Sequence, residues 1–293
     1  MSGEMSSAVK IRRKGTVPAL RLSEGRDGLR VLTSPLLEET GLVRHCFSTR
    51  LGGVSEGYYS SMNLSFTRGD REEAVRENYH RIASYLQVPD ERFALTYQTH
   101  TDNIRRVTEA DAGKGLTCPR DYTDVDGLIT NVPGICLGVF WADCVPILLL
   151  DPVHRAIGAV HSGWRGTVQR IGTKAVEAMG AAYGTCPRDV LVVIGPSICQ
   201  DCYEVSEDVA GRFRTAFSND RKILLDKGLN AAGEHKYQLN LWEANREMLL
   251  AAGLRAENIS LTDICTCCNP SLLFSHRAMG ERRGNNGAFI ALC

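Results

Sequence analysis

A mixed α/β fold is predicted, a single domain with mixed central sheets flanked by helices, and three features of the sequence predict it. Short segments rich in β-branched and large apolar residues recur along the chain, each bounded by Gly, Pro, Asp or Asn. Longer stretches between them carry helical periodicity. From Gly127 to His161, however, strand follows strand without a helix, an order that a pure βαβ winding does not produce.

The expected strands are Leu42 to Ser48, Phe93 to Gln98, Gly127 to Asn131, Ile135 to Phe140, Ile147 to Asp151 and Ala156 to His161. Later ones are Val190 to Ile194, Tyr237 to Asn240, Ile259 to Thr262 and Ala288 to Leu292. Helices are expected over Arg71 to Leu86 with Asp70 as cap, Thr167 to Tyr183, Ser206 to Phe217, and Leu241 to Ala252 closed by Gly253. The first 29 residues are polar and basic, with Lys10, Arg12, Arg13 and Lys14 clustered, and are expected to form a disordered extension before a catalytic domain spanning 30–293.

With 34 basic and 34 acidic residues, no global field draws the chain to nucleic acid or to an anionic membrane. A small-molecule substrate fits that balance. No apolar segment follows the basic start, so no secretory signal is read there, and a cytoplasmic location is expected. The eleven cysteines are odd in number and scattered, which suits reduced thiols, some of them metal ligands.

The chemistry is concentrated between Asp124 and Thr167. Two near-continuous apolar strands, expected to be buried on both faces, flank a polar break at Trp141, Ala142, Asp143 and Cys144. A third ends in His161-Ser162-Gly163-Trp164-Arg165-Gly166, and upstream another stops in Gln98-Thr99-His100-Thr101-Asp102-Asn103. His100, Cys144 and His161 therefore stand at the ends of three different strands. Two imidazoles and a thiolate satisfy a catalytic zinc, which takes three protein ligands and keeps one position open. The same residues equally suit a metal-free hydrolase with Cys144 as nucleophile and His161 as base. Residue chemistry alone leaves the two readings level.

The segments FSTRLGGVSEGYYSSMNLS, QTHTDN, DVDGLIT, FWADCVPILL, AVHSGWRGT, IGPSI with YEV, and LFSHR occur in that order. Together they resemble the YfiH-like family, formerly described as polyphenol oxidases or laccase-domain proteins and now understood as purine nucleoside phosphorylases. The likeness runs from about Leu42 to Leu292. It implies the YfiH-type fold and one zinc ion, with copper as the alternative metal, held by His100, Cys144 and His161. It further implies phosphorolysis of adenosine, inosine, guanosine or methylthioadenosine, with deamination of adenosine as a parallel activity. The partners implied are a nucleoside and inorganic phosphate, for a monomer or homodimer.

Phosphate needs Arg or backbone N–H donors. Arg50, before Leu51-Gly52-Gly53, is the first candidate, with Arg165 and Arg277 behind it. Trp164 and Phe140 are candidates to stack on a purine, and Gln98 and Asn63 to read its edge. Among the nearby carboxylates Asp102, Asp124, Asp126 and Asp143, Asp126 is the candidate either to support a metal ligand from behind or to handle protons. If residues 143 and 144 stay extended, Asp143 points away from Cys144 and orients a ligand or backbone instead.

Relatives often carry Thr-Gly-Arg before the last strand, where this chain reads Arg283-Gly284-Asn285-Asn286; that role is expected either to pass to Arg282 or Arg283 or to be missing here. Cys199-Gln200-Asp201-Cys202 and Cys265-Thr266-Cys267-Cys268 invite a second metal reading. The C-x-C-C spacing and the separation of the pairs count against it, and the family is familiar with cysteine at such positions without a site. A copper oxidase would need a further histidine-rich cluster, and seven histidines with no His-x-His pair do not supply one. An amidase acting on cell-wall precursors is the remaining rival.

Overall fold

Alternation along one central strand sets the layering. In Val145–Asp151 (β8) every residue is buried. Val145, Ile147 and Leu149 enter one apolar cluster, while Leu148 and Leu150 enter another on the opposite face. A strand with two buried faces needs a layer on each side, and the fold supplies both.

The computed structural model describes residues 9–218 and 220–293. The first six-stranded sheet contains Arg21–Glu24 (β1), Arg30–Thr33 (β2), Val43–Ser48 (β3), Phe93–Leu95 (β4), Cys136–Trp141 (β7) and Asn286–Leu292 (β15), in the order β1-β2-β3-β15-β7-β4. The second contains Ile104–Arg106 (β5), Gly127–Thr130 (β6), β8, Ala156–Ser162 (β9), Leu191–Ile194 (β10) and Ile259–Leu261 (β14), in the order β14-β10-β8-β9-β6-β5. Both sheets are mixed. The pairs β4–β7, β5–β6 and β10–β14 run parallel, and the other pairs antiparallel. Phe47, Leu137, Val139 and Ile290 of the first sheet pack against Leu128, Leu148, Ile157 and Val193 of the second.

Glu72–Leu86 (α2) covers the outer face of the first sheet through Val75, Tyr79, Ile82 and Leu86. Trp164–Val168 (α3), Ile171–Tyr183 (α4), Glu207–Ala216 (α5) and Leu241–Ala251 (α6) cover the outer face of the second. A small third sheet of Glu204–Ser206 (β11), Leu224–Leu229 (β12) and His235–Leu239 (β13) lies beside α5. Two short helices, Pro35–Glu38 (α1) and His276–Met279 (α7), complete the α-helices among the described residues. No helix among the described residues is long and apolar enough to cross a membrane.

The mixed α/β architecture and all ten expected strands are present, with ends moved by up to three residues. Three expectations are corrected. The basic extension does not stay disordered from Val9 onward: Leu20 is fully buried, Arg13 pairs with Asp263 at 2.8 Å, and β1 adds to the first sheet. Residues 1–8 lie outside the described residues. The helix expected over Thr167 to Tyr183 is two helices, broken where Arg170 adopts φ 61° and donates to the Ala216 carbonyl. Asp70 does not cap α2 as its first flanking residue. Arg71 holds that place, and Asp70 accepts from the Arg71 N–H and from the Asn63 amide.

His45 on β3 is buried and accepts the Ser34 N–H on Nε2 at 2.8 Å. Burial holds its pKa down to about 4. Protonation would set an N–H against an N–H, so the folded state keeps this ring neutral while the unfolded chain protonates near 6.5. The native state thus binds fewer protons between these values, and stability from this group is complete above about pH 6.5 and lost as pH falls toward 4. By pH 5 the loss amounts to about 2 kcal/mol. His45→Gln, which keeps an acceptor without titrating, is expected to narrow the difference in Tm between pH 7 and pH 5; an unchanged difference contradicts this assignment.

Candidate metal centre and its cavity

The site forms where the chain changes sheets. The segment from β4 to β5 leaves the first sheet for the second and carries His100. The three residues between β7 and β8 make the same crossing and carry Cys144. His161 lies at the end of β9. Such abrupt crossings require unusual backbone. His100 has φ 65° and Asp143 φ 90°, left-handed values that non-glycine residues adopt at a cost.

The crossings bring the three expected ligands together. One nitrogen from each of His100 and His161 and the Cys144 sulfur all lie within 4.8 Å of one another. Cys144 Sγ and His100 Nε2 are 3.9 Å apart, and the two imidazole rings meet edge to face at 5.0 Å. A soft-to-borderline set of two nitrogens and one sulfur, converging from two loops and a strand end, can hold one metal ion. Gly163 makes the convergence possible, since a Cβ there would stand 2.9 Å from the His100 ring and 3.2 Å from the Cys144 sulfur.

Asp126 sits beneath the cluster, fully buried. It accepts His161 Nδ1 at 2.7 Å, the N–H groups of Thr99, His100 and Thr101 at 3.0–3.1 Å, and the Thr101 hydroxyl. Five donors occupy both oxygens and all of their lone-pair directions. Of the two roles expected for Asp126, these contacts serve orientation: it positions His161 and the His100 loop. The other carboxylates are similarly engaged. Asp102 is paired with Lys174, and Asp124 accepts the Thr99 hydroxyl. Asp143 accepts from the Thr266 hydroxyl and the Arg277 N–H, so it does orient backbone, through a left-handed turn rather than an extended one.

The electrostatics are those of a coupled pair. Burial pushes the Cys144 thiol up, but the adjacent His161 charge and hydrogen bonds from both imidazoles outweigh it, bringing it down to about 6. Burial also disfavours charge on His161, while Cys144 and Asp126 reverse this and raise it to about 9.

The trio opens on a cavity of about 520 Å3, lined further by Phe66, Tyr79, Gln98, Phe140, Trp141, Arg68, Arg120, Arg283 and Asn285. Several expected substrate residues are elsewhere. Arg50 donates to the carbonyls of Ser60 and Pro270 and stacks on Phe274, so its guanidinium is used in the fold. Asn63 is buried, clasping Ser65, Asp70 and the Asn285 N–H. Arg165 is exposed and lies over Trp164, and neither lines the cavity. Arg277 donates to the carbonyls of Cys202 and Glu204. Gln98 does reach the wall, but its amide bridges to the Phe140 backbone in both directions.

The arginines that do face the cavity were missed in the sequence, except Arg283. That guanidinium is buried, donates to Asn285 Oδ1 and the Gly284 carbonyl, and keeps a buried Nε with no partner. Burial lowers its pKa to about 10. No local signal singled out Arg68 or Arg120, whose approach depends on tertiary packing.

Substituting Asp126→Asn removes the charge that orients His161 and leaves a single acceptor oxygen for five donors. Metal affinity at the trio is expected to fall about 10–100-fold, read by competition with a chromophoric chelator. Unaltered affinity contradicts the positioning role.

The family model described as multi-copper polyphenol oxidoreductase laccase matches residues 44–293. Purine nucleoside phosphorylase YlmD of Bacillus subtilis (strain 168) is 35% identical over 250 residues, which cover 84% of this chain and 87% of that protein. Adenosine deaminase RL5, from an unknown prokaryotic organism, is 35% identical over 240 residues, 81% of this chain and 90% of that one. The crystal structure of Bacillus licheniformis hypothetical protein YfiH matches with a TM-score of 0.85 and 32% identity, covering 94% of this chain and 100% of the other. With its fold, its crossings and its His-Cys-His cluster in place, the chain belongs to the YfiH and YlmD family of laccase-like domain proteins.

Proposed function

We propose that this chain is a zinc-dependent enzyme of purine nucleosides, cleaving adenosine, inosine, guanosine or methylthioadenosine with phosphate and deaminating adenosine at the same centre. The observation that carries the reading is the His100, Cys144 and His161 cluster, with its ligand atoms turned together on the wall of a cavity also lined by Arg68, Arg120 and Arg283. The names of the similar proteins, a phosphorylase and a deaminase, support the two reactions. Zinc suits a borderline donor set of this kind and supplies a Lewis acid there.

The chain's own groups divide the remaining work. Phe66 and Phe140 line the cavity and offer aromatic surface to a purine ring, with Tyr79 packed against both. Arg68, Arg120 and Arg283 take the phosphate role first assigned to Arg50. Arg283 is the strongest of them, because it lines the cavity with only neutral acceptors bound to its guanidinium, whereas Arg68 is already paired with Glu281. Asp126 keeps the proton on His161 Nδ1, so that Nε2 presents its lone pair to the metal position.

A second reading has its own support. Asp126, His161 and Cys144 form a carboxylate–imidazole–thiol relay, and the lowered thiol suits a nucleophile. For copper oxidation the description of the matching family model stands alone, because among the described residues no further histidine cluster accompanies the trio. The other five histidines each have a separate partner: His45 with Ser34, His80 with Asp90, His154 with Asp151, His235 with Asp226 and His276 with Glu281.

Incubation with adenosine and phosphate is expected to yield adenine with ribose 1-phosphate, and inosine or hypoxanthine where deamination intervenes. Chelation should abolish both reactions and zinc restore them; activity that survives complete metal removal favours the thiol hydrolase. Arg283→Gln is expected to raise KM for phosphate roughly tenfold or more, the loss of one charge-assisted contact, and to change KM for the nucleoside much less. An unchanged phosphate KM removes Arg283 from the anion site.

A further inference from the structure

The two cysteine groups that the spacing argument set aside meet in space. Cys199 and Cys202 follow β10, Cys265 and Cys268 follow β14, and their four sulfurs lie within 4.8 Å of one another. Cys202 and Cys268 are 3.5 Å apart, and all four are free thiols. Cys267 lies outside the group, so the second pair is Cys265-x2-Cys268, matching Cys199-x2-Cys202. The intervening Cys267 disguised that spacing as C-x-C-C.

We propose that these four cysteines form a second, structural zinc site, separate from the His-Cys-His centre. Zinc–sulfur bonds of about 2.3 Å place the corners of a tetrahedron about 3.8 Å apart; Cys202 and Cys268 stand at 3.5 Å and no pair of the four exceeds 4.8 Å. The surrounding backbone is arranged for a thiolate. The N–H groups of Cys199 and Cys268 both point at Cys265 Sγ, at 3.2 and 3.4 Å. Four thiolates leave no open position, as a structural site requires.

The site would clamp together two loops that otherwise meet through a few bonds. The Thr266 N–H reaches the Ser197 carbonyl, and Lys14 of the N-terminal arm pairs with Asp201. The same loops hold Asp143, next to Cys144: Thr266 donates to its carboxylate and the Ile198 N–H to its carbonyl. Arg12 and Asn269 exchange two hydrogen bonds just beyond Cys268. Zinc at this point braces the turn that carries Cys144 and anchors the arm.

The test separates the two centres. A His100→Ala, Cys144→Ala, His161→Ala triple variant, purified with reductant, is expected to retain about one zinc per chain, against about two in the unaltered chain. Its cobalt-substituted form should show the intense sulfur-to-cobalt charge transfer of a tetrathiolate. Cys199→Ser with Cys268→Ser in the unaltered chain should lose one equivalent of metal, with a lower Tm and faster proteolysis of the N-terminal arm. If that variant fails to fold, the triple variant still decides. A triple variant holding only trace metal, with all four thiols open to alkylation or joined as disulfides, overturns the proposal.

Discussion

One buried carboxylate organises the centre. Asp126 is sealed from water, and burial alone would push its proton affinity up. The His161 ring and the N–H groups of Thr99 and Thr101 reverse that, keeping it ionised. An ionised group in such a place is tolerated only when every acceptor direction is filled. Filling them fixes both the loop bearing His100 and the ring of His161. The positive φ of His100 is held by the same contacts, since its own N–H is one of the donors. Two strands from one sheet and one from the other thus end at a single point.

The protonation of the trio bears on its chemistry. Without a metal, the lowered thiol and raised imidazole describe a thiolate beside an imidazolium, stabilised by Asp126. That is a pocket of negative potential satisfied by a proton. A cation of higher charge satisfies it better, displacing the proton as it binds, which is how metal affinity and acidity are linked in thiolate sites. The relay that looks like a hydrolase and the cluster that looks like a metal centre are therefore one electrostatic arrangement.

Much of this was legible in the sequence. The three ligands stood at strand ends beside polar clusters, and strand ends are where local pattern and tertiary position agree. The run of strands from β6 to β9 was visible because each is short, apolar and bounded by turn residues. What was hidden depends on contacts distant along the chain. Arg50 looked like an anion donor beside its paired glycines, yet Ser60 and Pro270 consume its donors. Arg283 could be named only as a substitute for a missing motif, and Arg68 and Arg120 not at all. The N-terminal arm reads as polar tail, but Arg13 is held by Asp263 and in turn donates to the Leu20 carbonyl, and no local pattern contains the Asp263 contact. Strands β5, β11 and β12 lacked apolar runs because they lie at sheet edges.

The central claim is that metal and nucleoside chemistry reside in one trio. It is tested most directly by measuring metal content and adenosine phosphorolysis on the same preparation of Cys144→Ala. Loss of one metal equivalent together with loss of phosphorolysis, in a chain that keeps its cooperative unfolding, is the result expected. Phosphorolysis at an undiminished rate after that metal has gone would contradict it.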